Sequence, residues 1–403
     1  MNIWIFNHHA LTPDMSGGTR HYDFAKELIK RGHSVTIIAS SFHYSKYQEM
    51  KEYKDKDYLC EKIDGIDFIW IETPPYFGNG FSRVKNMLSY SLKVLKYIPK
   101  LNLKKPNIIV GSSVHLFAVY SAYKLSKKYN TPFIMEVRDI WPQTLIDMGI
   151  SRWHPFIILL GVLEEYLYKK ADKVISNLPY AYEHIEKFVS REKFEWISNG
   201  VDLSNITYIP KEKNEKFIIS YTGAIGIANN LQILLDVAKR LKEKKDIFFR
   251  IVGEGAEKEK LKAFVKENNL LNVSIDNSVP KNKVTNILQS SDVLYFNLKD
   301  SPVFNYGISS NKLFDYMASG RVIIFSTKAK NNPIKDANAG YSIAPDDVEV
   351  LQKTILEIYN LSQEKRDAIG QKIRKYAEEN YSIEVLIDKF EKLLENEIRK
   401  KNA

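Results

Sequence analysis

Gly307-Ile-Ser-Ser-Asn-Lys-Leu-Phe-Asp-Tyr-Met-Ala-Ser-Gly-Arg-Val-Ile-Ile-Phe-Ser326 reads as a Gly/Ser loop, then a short helix, then a buried strand. Ser310 or Asn311 suits the N-cap, Gly320 stands where a glycine ends a helix, and Val322–Phe325 is a strand-like apolar run. Asn311, Lys312 and Asp315 are three and four residues apart, so they share one helix face near its amino end. Free amide N–H groups at that end, together with a lysine, suit a phosphate. A carboxylate one turn on suits the two hydroxyls of a ribose. Without such a ligand the same residues make a capped helix with a Lys312–Asp315 surface pair.

Outward from this stretch, strand and helix signals alternate in two rounds. The first round reads Asn2–Phe6 strand, Gly-rich turn, Thr19–Arg31 helix and Ser34–Ala39 strand. Short apolar strands follow at Phe68–Ile71, Asn107–Val110, Phe133–Val137 and Lys173–Ser176, with helices near Leu116–Tyr129, Phe156–Lys170 and Tyr180–Val189. Such alternation predicts a parallel, doubly wound α/β sheet. After Ile197-Ser-Asn-Gly-Val-Asp202 and the charged Ile209–Lys216, the pattern restarts at Phe217–Tyr221. It continues through Phe248–Val252, Val273–Ile275, Val293–Phe296 and Val322–Phe325. The expected domains are 1–200 and 201–382, each Rossmann-like.

A chain of 403 residues exceeds one ordinary core, and 44% hydrophobic with 27% charged residues describes a soluble globular protein. Cys60 is the only cysteine, which excludes an intrachain disulfide and a cysteine-rich metal site. The amino terminus opens as a strand without the features of a signal peptide, and the longest apolar run, Pro155–Leu163, is too short to cross a bilayer. The expected location is therefore cytoplasmic. The net charge of +10 is uneven: Thr73–Met135 contains no Asp or Glu and ten basic residues. Within it, Phe81–Leu103 interleaves lysines with apolar residues in the pattern of a basic amphipathic helix, which suits anionic lipid headgroups. A solvated basic surface over a core helix is the plainer alternative. Nucleic acid is not expected as a partner, because no nucleic-acid fold motif accompanies the charge.

Five further motifs follow predicted strands. Ser16-Gly17-Gly18-Thr19 opens a helix, and Gly17 and Gly18 let backbone approach a ligand closely; a structural turn capped by Thr19 is the alternative. His115 stands at the start of a helix after Ile108-Ile-Val-Gly-Ser-Ser113, where ligands gather in doubly wound sheets, although a lone histidine also serves as a cap. Glu136-Val-Arg138-Asp139-Ile-Trp141-Pro142 sets two acids and an arginine at a strand end, either as a site or as an Arg138–Asp139 or Glu136–Arg138 pair that holds the loop. Ile251-Val-Gly253-Glu254-Gly255 repeats the strand–turn–helix logic, and Ser278-Val279-Pro280 precedes another helix.

The order of these motifs resembles the family-4 retaining glycosyltransferases along nearly the whole chain. Asp315-Tyr-Met-Ala-Ser-Gly320 takes the place of that family's Glu-Ala-Met-Ala-x-Gly, and Ser-Asn-Lys-Leu-Phe-Asp-Tyr is similar to the bacterial branch that builds O-antigen and capsule repeat units. The resemblance implies the GT-B architecture, two Rossmann-like domains facing across a cleft, with a final helix near Ile383–Lys400 folding back to the first domain. It implies transfer of a sugar, an N-acetylated or deoxy hexose, from a UDP-sugar to a glycan acceptor, with a lipid-linked saccharide at the inner membrane face favoured.

The same resemblance distributes roles. Gly17, Gly18, Gly223, Gly253, Ser310, Asn311, Lys312 and Asp315 would surround the donor nucleotide. His115 would reach toward the donor sugar and stabilise charge rather than attack it. Asp139 would orient or deprotonate the acceptor hydroxyl, with Arg138 near phosphates. Two departures stand out. Gly307 replaces a glutamate that contacts the donor sugar in many members, and Tyr221-Thr-Gly223-Ala-Ile-Gly226-Ile-Ala-Asn-Asn230 lacks the family's Arg and Lys for the diphosphate. Lys312 and main-chain N–H groups would then carry more of that charge, with Asn229 or Asn230 capping the next helix. No cofactor is expected, and no metal: Asp55-Lys-Asp57 lies in the charged run Lys51–Lys62, read as a solvated loop. A dinucleotide-dependent oxidoreductase, a GT-B sugar-nucleotide epimerase and a non-catalytic basic membrane- or nucleic-acid-binding protein are the rival readings. The absence of Gly-x-Gly-x-x-Gly after the first strand counts against NAD.

Overall fold

The computed structural model describes residues 1–15, 17–78, 80–113, 115–211 and 215–402. The chain divides into two compact units: Met1–Thr12, Gly18–Ser198 and Ile383–Ala403 in unit 1, Pro13–Gly17 and Asn199–Ser382 in unit 2. The strands of unit 1 are β1 (Asn2–Phe6), β2 (Ser34–Ala39), β3 (Phe42–His43), β4 (Gln48–Glu49) and β5 (Tyr58–Ile63). They continue as β6 (Ile66–Ile71), β7 (Ile108–Ser113), β8 (Phe133–Val137), β9 (Lys173–Ser176) and β10 (Phe194–Trp196). Eight of these form one sheet in the order β10-β9-β8-β7-β1-β2-β6-β5, and β3 pairs with β4 apart from it. Every pairing in the large sheet is parallel except β5 with β6. Its helices are α1 (Arg20–Lys30), α2 (Phe81–Tyr97), α3 (Leu116–Tyr129), α4 (Gln143–Asp147), α5 (Pro155–Lys170) and α6 (Tyr182–Ile185).

The strands of unit 2, β11 (Phe217–Thr222), β12 (Ile247–Val252), β13 (Val273–Asp276), β14 (Val293–Asn297), β15 (Val322–Ser326) and β16 (Tyr341–Ile343), form a second sheet. It is wholly parallel, in the order β13-β12-β11-β14-β15-β16. The helices continue as α7 (Gln232–Arg240), α8 (Lys258–Glu267), α9 (Lys281–Gln289), α10 (Asn311–Ala318), α11 (Pro333–Asp336), α12 (Val348–Tyr359), α13 (Gln363–Tyr381) and α14 (Ile383–Asn402). Because side chains alternate along a strand, β14 sends Val293 and Tyr295 into one core with α7 and α12. It sends Leu294 and Phe296 into a second core with α10 and α13. Both faces of the sheet are thus covered by helices, which explains the unbroken apolar strands.

In unit 1 the strand order reverses between β1 and β7, and in unit 2 between β11 and β14. Strand carboxyl ends beside such a switch point form the ligand crevice of doubly wound sheets. Asn7–His9, Ser112, Ser113 and His115 lie at the first, Thr222–Gly226 and Asn297 at the second.

Several expectations need correction. Asp55-Lys-Asp57 lies in a loop as read, but the rest of the Lys51–Lys62 run does not stay loop, because Tyr58–Ile63 forms the antiparallel edge strand β5. Its neighbour Asp57 accepts from the Tyr97 hydroxyl and from Lys93 at 2.6 Å. Lys93, one of the ten basic residues between Thr73 and Met135, also reaches Glu72 at 3.0 Å. The amphipathic helix ends at Tyr97 and gives way to a tight turn, Ile98–Lys100, in which Pro99 removes a backbone donor. β7 runs on to Ser113 because Gly111 leaves room: a Cβ there would lie 2.8 Å from the Ala122 methyl and 3.0 Å from the Phe133 ring. Tyr180–Val189 shrinks to the single turn α6, tied back by His184 to Glu164 at 2.8 Å.

The terminal helix α14 lies on α1 in unit 1. Arg31 donates to Asp388 at 2.7 Å and Glu391 at 2.8 Å, and Phe24 meets Phe390 with ring centroids 5.5 Å apart.

Candidate active site

In unit 1 the strand ends carry a buried polar network. Glu136, on β8, accepts from Arg20 at 2.9 Å and pairs with His21 at 2.7 Å, both from α1. Arg20 also donates to the carbonyls of Ile197 (2.9 Å) and Ser198, and Ser112 joins His21 to Asn7. Burial pushes the Glu136 carboxyl up, yet Arg20 and His21 outweigh it and hold its pKa well below the usual range. Glu136 is therefore committed to α1 and does not form the loop pair with Arg138. Its partners were missed because Arg20 and His21 read as ordinary residues of an amphipathic helix.

Arg138 is half-buried and its amide donates to Ser113 Oγ at 3.1 Å. Asp139 keeps an exposed side chain. The surrounding protein nonetheless raises its pKa, against the pull of Arg138 and Arg83. A carboxylate raised in this way is a better base than a free one.

His115 is fully buried as the N-cap of α3, its Nδ1 accepting from the Ala118 amide at 3.2 Å. That bond puts the ring proton on Nε2, which lies 2.7 Å from His8 Nδ1 and donates to it. His8 is then the Nε2–H tautomer, stacked between His9 and Tyr90 with centroids 4.3 Å away on each side. Burial, and then His9 and Arg83, keep the His115 pKa well below its ordinary value. His8 is lowered likewise, by burial and then by His9 and His115, so the pair is neutral at physiological pH. His8 escaped the sequence reading, although Asn7-His8-His9 directly follows β1 and was the signal that pointed there.

Of the glycine turn, Ser16 lies outside the described residues, Gly17 groups with unit 2 and Gly18 with unit 1. Thr19 occupies the N-cap position of α1 but its hydroxyl donates to Asp23 at 2.7 Å, so it does not cap the helix as expected.

In unit 2 the helix of the opening stretch forms as α10, with Ser310 as N-cap and Gly320 left-handed (φ 68°) beyond its end. The preceding loop is pinned by Asn331, which exchanges two hydrogen bonds of 2.8 Å with Ile308. Asn199 donates to Ser309 Oγ at 2.9 Å. Tyr316 ties the helix to the end of β11, accepting from the Thr222 amide at 2.7 Å and donating to its carbonyl at 3.1 Å. Asn311, Lys312 and Asp315 are all half-buried on one face.

Lys312 is the centre of this half. Its Nζ donates to the Tyr221 hydroxyl at 2.7 Å and sits 4.3 Å from the Tyr221 ring centroid and 5.0 Å from that of Phe296. The Tyr221 hydroxyl in turn donates to the Ala224 carbonyl at 2.5 Å. A Cβ on Gly223 would lie 3.2 Å from Lys312 Nζ, so the ammonium is folded over the turn after β11. That turn is where the resemblance led to an expected Arg and Lys. Burial lowers the Lys312 pKa to about 7.

Gly253 serves that same turn. A Cβ on it would fall 1.8 Å from the Gly223 carbonyl oxygen, and one on Gly255 would fall 2.2 Å from that of Ile225. The two turns interlock backbone to backbone, with Gly223 N donating to Val252 O at 2.9 Å and Ile225 N to Glu254 O at 2.8 Å. Neither Asn229 nor Asn230 caps α7: Asn229 exchanges bonds with Asn297, and Asn230 donates to Asp346. The expectation of a cap fails because Asn229 closes a tight turn, Ile227–Asn229, and Asn230 ends it in the left-handed region, which leaves the N-cap position of α7 to Leu231. Among the described residues, no group of three His, Cys, Asp or Glu side chains is placed to share a metal ion.

A family model for Glycosyltransferase Family 4 matches residues 16–205, and one for Glycosyl transferases group 1 matches 205–376. The chain is 22% identical over 281 residues to WcaI of Escherichia coli (strain K12), a putative colanic acid biosynthesis glycosyl transferase, spanning 65% of this chain and 68% of that one. A Campylobacter jejuni N-acetylgalactosamine-N,N'-diacetylbacillosaminyl-diphospho-undecaprenol 4-alpha-N-acetylgalactosaminyltransferase is 36% identical over 109 residues, 26% of this chain and 29% of its own. Among solved structures, Anabaena Alr3699/HepE in complex with UDP-glucose shares the fold, with a TM-score of 0.67 at 13% identity over 98% of this chain and 100% of that one. With the two family models running in succession from residue 16 to residue 376, over two Rossmann-like units of the GT-B type, the chain belongs to the family-4 glycosyltransferases.

Proposed function

We propose that this glycosyltransferase is retaining and metal-independent, and moves an N-acetylated or deoxy hexose from a UDP-sugar to a lipid-linked saccharide. The product would be a repeat unit of a bacterial surface polysaccharide, O-antigen or capsule, made at the cytoplasmic face of the membrane. The observation that carries the donor half is the placement of Lys312 over the Gly223 turn, with Asp315 one turn further along the same face of α10. The ammonium and the amino end of the helix suit a diphosphate, and the carboxylate suits ribose hydroxyls. The UDP-glucose bound by the Anabaena protein and the diphospho-undecaprenol in the name of the Campylobacter enzyme support the donor and acceptor classes.

The reaction would run on the front face of the sugar. The bond from the anomeric carbon to the diphosphate oxygen breaks as the acceptor oxygen bonds to that carbon. The acceptor proton passes to the departing diphosphate, and no covalent enzyme intermediate forms. Lys312 offsets the charge that grows on the diphosphate, and Asp139 orients the acceptor hydroxyl, with Arg138 beside it for phosphates. His115 acts as a positioning residue through His8, whose Nε2 is buried with no protein partner among the described residues.

Asp315→Ala should weaken UDP binding by ~1.5–3 kcal/mol, the loss of hydrogen bonds to a charged acceptor. Calorimetry on the folded variant checks this, and unchanged affinity would remove Asp315 from the ribose site.

A further inference from the structure

A cluster of aromatic side chains in unit 1 stands at the strand ends that carry His8 and Asp139, and the reaction described above makes no use of it. The β3–β4 hairpin directly follows β2, while Tyr76 and Phe77 follow β6, the neighbour of β2 in the sheet. Both segments therefore lie at strand carboxyl ends, on the side of β1 away from β7. Tyr47 meets Phe77 with ring centroids 4.7 Å apart and Tyr76 at 5.8 Å, and Tyr44 meets His9 at 5.5 Å. Packing alone does not account for these rings: Phe77 is 81% exposed, and Tyr44 and Tyr47 are each 38% exposed. Tyr47 also holds a left-handed backbone (φ 54°), its amide donating to the His43 carbonyl at 2.9 Å. That conformation is costly for a bulky residue, and such strain gathers at functional sites.

The polar groups beside the rings decide the occupant. His9 Nδ1 is buried with no partner among the described residues. Burial, then Arg83 and His43, lower the His9 pKa to about 3, so its ring is neutral. A hydroxyl, which both donates and accepts, suits that nitrogen in either tautomer. Arg138 acts on both the Tyr44 hydroxyl and Asp139, which ties the aromatic cluster to the residue assigned to the acceptor. A lipid tail or an apolar protein face would leave the His9 nitrogen unsatisfied. A pyranose brings an apolar C–H face for the rings and hydroxyls for the nitrogen in one molecule. We propose that Tyr44, Tyr47 and Phe77 form a platform on which a sugar ring of the acceptor stacks, while His9 Nδ1 binds one of its hydroxyls. This rests on the saccharide acceptor proposed above and adds to it the residues that select that sugar.

The test is saturation-transfer NMR on the full chain, with UDP filling the donor site, titrated with the methyl glycosides of N-acetylglucosamine and N-acetylgalactosamine. At least one glycoside should bind, with transfer strongest at the ring protons of one face. Tyr47→Asn with Phe77→Ser should weaken that binding ~10-fold, with melting temperature and UDP affinity unchanged; asparagine tolerates the left-handed backbone at the first position. Phe77→Tyr, which keeps a ring, should bind as wild type does. His9→Phe keeps the ring stack and removes the nitrogen, and should weaken binding ~5–10-fold. If that variant does not fold, the exposed pair decides alone. Sugar affinity unchanged in either variant overturns the proposal, and so does a pair variant that loses thermal stability but keeps its sugar affinity. Failure of both glycosides to bind a wild type that binds UDP normally also overturns it and leaves the donor site standing. Absent UDP binding strikes the function itself, and the subsite with it.

Discussion

Asp139→Asn is expected to lower turnover ~10²–10⁴-fold with UDP affinity near that of the wild type. The substitution keeps the shape of an exposed side chain at the end of β8 and removes its charge. Among the described residues the Asp139 side chain makes no hydrogen bond that holds the loop; its carbonyl accepts from the Trp141 amide at 3.0 Å, and Ser113 and the Glu136–Arg20 pair brace the segment nearby. Loss of activity should therefore come without loss of stability. His115→Ala should also reduce turnover, because it frees His8 from the bond that fixes its tautomer, but it removes the cap of α3 as well and should lower the melting temperature by the equivalent of ~1 kcal/mol. A product assay beside a thermal melt separates the two. Full activity in a stable Asp139→Asn protein would mean that another group handles the acceptor hydroxyl.

Lys312 makes donor binding sensitive to pH. In the free protein burial lowers its pKa to about 7, from an ordinary 10.5. A bound diphosphate favours the charged form and raises that value, so binding takes up a proton wherever the free lysine is neutral. The sign follows: affinity is fully expressed below pH 7 and falls as pH rises through it, by up to ~tenfold per unit until the pKa of the bound form is reached. Lys312→Met should weaken UDP binding ~10–100-fold at pH 6.5 and abolish this extra slope. The ionisation of UDP itself is common to both proteins and cancels in their ratio. Titration calorimetry from pH 6 to 9 measures it, and a parallel pH profile in the two proteins would show that Lys312 does not contact the diphosphate.

Much of this was legible in the residues. Runs such as Phe133–Val137 and Lys173–Ser176 are apolar on both sides because helices cover both faces of a parallel sheet, and they fold at those positions. The helix Asn311–Ala318 forms where it was read and ends in the left-handed Gly320, although Ser310 stands at the N-cap position without a side-chain capping bond. Edge strand β5 was illegible because none of its residues is buried, and half-buried positions alternate with exposed ones in a way that resembles a loop. The bonds of Glu136 to Arg20 and His21 and the His8–His115 pair join residues 107 or more positions apart, so no local spacing announces them. Lys312 was visible as a candidate, but not the pair of aromatic rings that buries it, since Tyr221 and Phe296 come from two other strands. Gly253 was read as a ligand glycine, and the structure adds that it makes room for the carbonyl of Gly223, a contact no local spacing announces.

The claim at the centre is that unit 2 grips a uridine diphosphate at the β11 turn and the amino end of α10. Calorimetric titration of the full chain with UDP, and separately with NAD, addresses it directly. Saturable binding of one UDP per chain with no heat from NAD is the predicted result; NAD binding, or no binding of UDP, would contradict it.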